Sequence, residues 1–488
     1  MKLKYLAIAL MAVLFSSCTE SVMDDINADK ANPPAEMVSG KFIIPGAIMN
    51  TAFNTISGNY AWYISSFTEQ EFGTGDNQLR RAELRDPGEI AASTCFNNEW
   101  NDTYTTMHSL YEVMQKCAEG GMDEGKDDLL GMAKVLMAME LGVLTDLHGD
   151  IPYKEALTGL NNLQPKMDKQ EDIYKDIFTL LDEGIACLEN GGSYVGSSDI
   201  LFNGDTDQWI GLAYALKARY KLHLYYRDNN VLNDVIKYAT KATAYFDGAE
   251  LDVFDPDNNN NPWTAYFWSR LYTGSSKTVA DLMEDRNDPR LEVYSLNFFG
   301  WDLTAEPGDE EAARLTQACN APAWLDNGAA TIHVFSKSEL YFILAEAKAR
   351  LGKDASADFA TAVEASFDDF QNSDPGYTYF EASSAAAYIA TLPVTLKEIM
   401  VQKYLSQVRD EQIEAYNDIR RCKALGEEFI KLTNPKNTNS NGNAWPLRLP
   451  YGNSDVLANP NVREAFGTGN EAGKYIFTQP VWWAGGTR

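Results

Sequence analysis

Across residues 168–190 the apolar side chains Ile173, Ile177, Leu180, Leu181, Ile185 and Leu188 recur every three or four positions, while Asp172, Asp176, Asp182 and Glu183 fall between them. Such spacing collects all six on one stripe of an α-helix, because 3.6 residues complete a turn. The same period returns at 101–117, 127–147, 208–226, 231–246, 338–351, 355–370 and 395–422. A stripe of this kind is stable only against another apolar surface, so the chain must stack helix on helix.

The helices come in pairs. Residues 209–246 and 338–370 each read as helix, turn, helix, with Ala215, Ala218, Ala345 and Ala347 as small residues where two helices approach closely. A unit of about 34 residues built this way resembles the tetratricopeptide repeat, although the repeat's signature Trp and Pro positions are not regularly met. The expected fold class is mainly α: a tetratricopeptide-like helical-repeat scaffold with long irregular loops and little β. Segments 52–85, 247–280, 297–333 and 434–488 are rich in Gly, Asn, Pro and aromatic residues, lack a sustained period, and read as the loops. Residues 331–335 and 447–450 are the candidates for short strands. Residues 129–147 are apolar nearly all round but contain Lys134, Glu140 and Asp146, which marks a helix buried in protein, not one in a bilayer.

The first residues read differently. Lys2 and Lys4 precede the apolar run 5–15, and Ser16-Ser17-Cys18 follows, which makes a secretory signal too short to span a bilayer. The segment 14–18 resembles the lipobox of bacterial lipoproteins, with Phe15 at an atypical position; the alternative is an ordinary secretory peptide in which Cys18 is incidental. The expected organisation is a signal peptide at 1–17, a lipidated tether at 18–40 containing Pro33 and Pro34, and one helical domain with ligand-loop insertions at 41–488.

The chain has 70 acidic and 41 basic residues, a net charge of −29 that becomes −31 once Lys2 and Lys4 are cleaved away. Nucleic acid and anionic lipid surfaces would repel it, which leaves the acyl group on Cys18 to hold it to a membrane. Cys95, Cys117, Cys187, Cys319 and Cys422 are widely spaced and odd in number, so they make no disulfide framework. With four histidines, no Cys-x-x-Cys and no His pair at helical spacing, no metal site is expected. Nor does the chain contain a Gly-x-Ser-x-Gly, a phosphate loop or a His-Glu-x-x-His, so no catalytic residue and no cofactor is assigned.

An ordered series of motifs resembles the SusD/RagB family of outer-membrane nutrient-binding lipoproteins. Leu144-Thr145-Asp146-Leu147-His148-Gly149-Asp150-Ile151-Pro152-Tyr153 is similar to the family's most recognisable motif, with His148 where Tyr is common. Asn287-Asp288-Pro289-Arg290-Leu291 resembles its Asp-Pro-Arg turn. Ile399-Met400-Val401-Gln402-Lys403-Tyr404 with Glu414-Ala415-Tyr416-Asn417-Asp418-Ile419-Arg420-Arg421 resembles its C-terminal helix pair, departing at Tyr416 for Trp and at Cys422-Lys423-Ala424 for a Thr-Gly-type turn. Leu449-Pro450-Tyr451, Asn459-Pro460 and Pro480-Val481-Trp482-Trp483 complete the series. The residues themselves read as architecture: Gly149 and Pro152 stop a helix with Asp150 free to bond turn amides, and Arg290, Arg420 and Arg421 are forked donors that tie loops to the scaffold. The resemblance implies a non-enzymatic cell-surface lipoprotein that captures an oligosaccharide or oligopeptide and delivers it to a SusC-like TonB-dependent β-barrel transporter. The alternative is an envelope helical-repeat scaffold that binds proteins and no nutrient.

Ligand contact is expected from aromatic faces and amides, which suit the C–H face of a sugar and its hydroxyls. Asn259, Trp263, Tyr266 and Trp268 share one Asn-rich segment, Trp301 and Trp324 lie in the next loop, and Trp62 with Tyr63 forms a second cluster. For each Trp the competing reading is an anchor that fastens its loop to the scaffold. Asp255, Asp257 and Asn259 match the first ligands of a calcium loop, but Asn260 stands where Gly is needed and Tyr266 where Glu is needed, so a polar turn is expected.

Overall fold

The computed structural model describes residues 37–75, 77–297, 320–373, 376–381, 383–433 and 444–488. Cys18, the signal peptide and Trp301 therefore lie outside the described residues. The main helices are α1 (Asn59–Phe67), α2 (Asn97–Cys117), α3 (Asp127–His148), α4 (Gln170–Glu189), α5 (Thr206–His223), α6 (Leu232–Ala242), α7 (Pro262–Arg270), α8 (Lys337–Arg350), α9 (Ser356–Gln371), α10 (Leu396–Ser406) and α11 (Gln412–Leu425). Helices α2 to α6 stack in chain order, α6 packs on α8, and α8 receives both α9 and α10. The pairs read from the sequence are α5–α6 and α8–α9, and Ala215, Ala218, Ala345 and Ala347 are fully buried between helices. The mainly α repeat architecture is thus as expected.

Helix α4 shows its stripe directly: Ile173, Ile177, Leu180, Leu181, Ile185 and Leu188 are buried and Asp182 and Glu183 exposed. Helix α3 is buried nearly all round, as its sequence implies. No described helix is long and apolar enough to cross a membrane.

Residues 395–422 carry one continuous helical period but form the helix pair that the resemblance implies, α10 and α11, because Asp410 between them takes φ 61° and bonds Ser57 Oγ and the His333 amide. Other parts differ from expectation. The segment 52–85 is not an open loop, since it contains α1, whose residues from Tyr60 to Phe67 are all buried. Residues 447–450 pair with no strand; they are held by single amide bonds from Leu447 to Ile476 and from Leu449 to Leu147. The strand expected near 331–335 does form. It is β6 (Ile332–Phe335), antiparallel to β4 (Ala249–Leu251), and two other small ladders pair β1 (Glu71–Gly73) with β5 (Thr273–Ser275) and β2 (Ile151–Pro152) with β3 (Met167–Asp168).

The motif at 144–153 ends α3, with Gly149 at φ 82°. Asp150 does not bond its own turn: its Oδ1 accepts the Gln170 amide at 2.9 Å and so fastens the start of α4. Arg290, Arg420 and Arg421 are buried forks, as read from the sequence; Arg421 grips Glu346 of α8 at 2.6 and 2.9 Å.

Asp146 anchors a buried ionic cluster. His223, the last residue of α5, has Nδ1 3.1 Å from Asp146 Oδ2 and Nε2 2.9 Å from Glu414 Oε2 on α11. Tyr174 and Trp483 donate to Asp146 Oδ1 at 2.5 and 2.8 Å, and Arg219 joins Glu414 to Glu339 of α8. Burial alone would lower the His223 imidazole, but Glu414 and Asp146 outweigh it and hold it up at about 9. Burial likewise opposes the Glu414 charge, and Arg219 and His223 overcome it, bringing that carboxyl to about 2.

Two outcomes are expected. A group held above its unfolded value of 6.5 contributes fully below that pH and loses its contribution as pH rises through about 9. The shift corresponds to about 3 kcal/mol, so the stability gap between wild type and His223→Gln, read by urea denaturation, should be full at pH 6 and narrow past pH 9. Gly142 on α3 faces Tyr220, whose hydroxyl oxygen and nearest ring carbons would stand 2.0–2.5 Å from an added Cβ. Helix propensity predicts that Gly142→Ala gains about 1 kcal/mol; the close approach reverses the sign, with an expected loss of about 1–3 kcal/mol in the same measurement.

Candidate functional site

Two segments read as loops meet to form the site, and the β1–β5 ladder joins them: Glu71 pairs with Ser275 and Gly73 with Thr273. Upstream of β1 lies α1, carrying Trp62 and Tyr63; upstream of β5 lies α7, carrying Trp263, Tyr266 and Trp268. The helical α7 replaces the irregular segment expected there. Asn261 is its N-cap, accepting the Trp263 amide, Pro262 starts the helix, and Leu271 ends it in the left-handed region.

The Tyr266 ring lies flat on Trp62, with centroids 3.8 Å apart and 19° between planes. Trp263 meets Trp62 edge-on at 5.5 Å and donates from Nε1 to Ser57 Oγ at 2.7 Å. Tyr266 and Tyr63 wall a cleft of about 320 Å³ with Asn59, Gln78, Gly88, Glu89, Thr94 and Cys95. Tyr63 donates its hydroxyl to Glu89 Oε1 at 2.8 Å. Asn59 donates to Glu99, and burial pushes the Glu99 carboxyl up. Burial, with Cys95 and Glu89 nearby, pushes the Tyr63 phenol well up, and burial does the same for Tyr266, so both keep their protons. The cleft thus offers a half-buried aromatic wall beside neutral amides, hydroxyls and one carboxylate. Such a surface can stack against a ring and hydrogen-bond its hydroxyls without reacting.

Of the eight aromatic and amide candidates, Trp62, Tyr63, Trp263 and Tyr266 come together. Trp263 is an anchor, 4% exposed. Trp324 is also buried, against Tyr294 and Phe370, because its short turn packs beneath α7 and not toward solvent; it is removed from the binding set. Trp268 is 45% exposed but does not line the cleft; its Nε1 donates to Asp326. Asn259 sits in an exposed turn closed by Asp255, which accepts the Asp257 amide and the Asn258 side chain. Asn59, Gln78 and Glu89 were missed. Asn59, Trp62 and Tyr63 stand at i, i+3 and i+4 on α1, a face that was legible once a helix was assigned there; Gln78 and Glu89 arrive on two short helices and carry no local signal.

A family model described as starch-binding and associating with the outer membrane, SusD-like, matches residues 85–452. The chain belongs to this SusD-like family. Among solved structures, a SusD/RagB family protein from Bacteroides thetaiotaomicron is 34% identical, with TM-score 0.81 over 92% of this chain and 100% of that one. A SusD homolog from Bacteroides fragilis, 18% identical, shares the fold at TM-score 0.70, covering 92% and 100% of the two chains. A chitin-binding SusD homolog from Flavobacterium johnsoniae, also 18% identical, does so at 0.69, covering 91% and 98%. No curated protein matches the chain.

For this SusD-like chain the buried Trp263 and the exposed Trp268 should separate by stability. Trp263→Ala is expected to cost about 3–5 kcal/mol, and Trp268→Ala less than about 0.5 kcal/mol, both read by urea denaturation.

Proposed function

We propose that this SusD-like protein is a cell-surface binding protein that captures a glycan oligomer in the cleft between Tyr266 and Tyr63 and passes it to a SusC-like TonB-dependent β-barrel transporter. The observation that carries this reading is the Tyr266 ring, braced flat on Trp62 and walling a cleft set with Asn59, Gln78, Glu89 and the Tyr63 hydroxyl. A braced aromatic ring is a pre-ordered platform for a sugar's C–H face, and amides serve both donor and acceptor hydroxyl positions. The family's description as starch-binding at the outer membrane and a chitin-binding homolog of the same fold support a glycan over an oligopeptide.

In this reading the protein acts by binding, not catalysis, in keeping with the family's description as starch-binding. In this reading residues 1–17 are removed on export, Cys18 carries the lipid, and the residues after it are a tether that ends before Ser39 and Gly40, which are buried and bond the Asp123 side chain at 2.9 and 2.7 Å. A mature charge of −31 favours a transporter face of complementary potential.

Oligosaccharide and oligopeptide arrays, followed by calorimetry, test the reading. Saturable oligosaccharide binding is expected; losing one aromatic stack is worth about 1.5 kcal/mol, so Tyr266→Ala should weaken it about tenfold while Trp268→Ala leaves it unchanged. Silence of the glycan array, or binding indifferent to Tyr266→Ala, would overturn it.

A further inference from the structure

Behind the ligand platform, three elements bring a histidine and two carboxylates together without hydrogen bonds between them. The β4–β6 register places Glu250 directly opposite His333, at a bulge between Ala249 and Glu250. Asp369 comes from the last turn of α9. His333 is 3% exposed, yet its Nε2 stands 3.7 Å from Asp369 Oδ1 and 3.8 Å from Glu250 Oε1. These distances are too long for hydrogen bonds. They are close to what one ion needs: ligand atoms bonded at about 2.1 Å and separated by tetrahedral or trigonal angles stand roughly 3.4–3.6 Å apart. The three donor atoms all lie within 4.8 Å of one another.

We propose that Glu250, His333 and Asp369 bind one divalent transition-metal ion of the zinc class.

The surroundings fit that occupant. Asp410 Oδ2 accepts the His333 backbone amide at 3.1 Å, which fixes the position of the His333 backbone beside the site. Burial and Arg409 keep the imidazole neutral, the form that coordinates. Thr331 Oγ1 donates to Glu250 Oε2 at 3.3 Å, leaving Oε1 for the ion. The Glu250 side chain is 46% exposed, which provides an entry path. The charges facing the site are Glu250 from β4, Asp368 and Asp369 from α9, Lys337 from α8, and Arg409 and Asp410 from the α10–α11 turn. The imidazole and the small ligand number favour zinc over calcium, which takes six to eight oxygens. The expectation of no metal rested on spacing within single helices; these ligands come from separate elements.

Calorimetry on the chelator-stripped mature chain with Zn²⁺ alone tests this. One Zn²⁺ per chain is expected, with a raised melting temperature and Ca²⁺ at least tenfold weaker. Glu250→Gln, at a half-exposed position, should weaken Zn²⁺ at least tenfold while leaving the metal-free melting temperature unchanged, and Asp369→Asn should do the same to affinity. Absence of saturable Zn²⁺ binding, equal affinity in both variants, or Ca²⁺ binding as tight as Zn²⁺ would overturn it. None of these readouts involves the glycan cleft.

Discussion

A charged imidazole between two buried carboxylates holds this scaffold in register. His223 ends α5, Asp146 lies near the end of α3 and Glu414 opens α11, so one side chain ties three helices far apart in sequence. Apolar stripes alone would let such helices slide, since hydrophobic contact is not directional. A buried charge that finds its partners in one arrangement only penalises every other. Trp483 and Tyr174 bond the same aspartate, and Trp483 also stacks on His223, which docks the C-terminal segment onto the helices.

From that frame the proposed ligand cleft follows. Asp410, in the turn that interrupts the α10–α11 period, bonds Ser57, which in turn accepts from Trp263. Trp263 braces Trp62 edge-on and Trp62 carries Tyr266 on its face. The half-buried Tyr266 ring is thus the last member of a chain of buried contacts that begins in the scaffold. The β1–β5 ladder closes the arrangement by pairing the two segments downstream of their aromatic helices. The same turn supplies the carboxylate behind His333, so the platform and the proposed ion site share one support.

Legibility in the sequence tracked amphipathicity. Helix α4 could be read residue by residue because one side meets water; α1 could not, because protein surrounds it and its period is erased. Helix α7 was concealed differently: Asn261-Pro262 punctuates loops, but it is equally an N-cap and first helical residue. Among the tryptophans, composition could not separate Trp263 and Trp324, which are buried, from Trp268, which is 45% exposed.

By itself the amino-acid sequence determined the helical class, the pairing of α5 with α6 and α8 with α9, and the family to which the chain belongs, because each is written in local periods and short ordered motifs. Only the tertiary structure decided which aromatic rings face a cleft, that Asn59, Gln78 and Glu89 join them, and that Glu250, His333 and Asp369 converge. The physical reason is range: periodicity and capping act over a few residues, whereas a site is made of side chains from distant segments whose meeting depends on how every intervening helix packs.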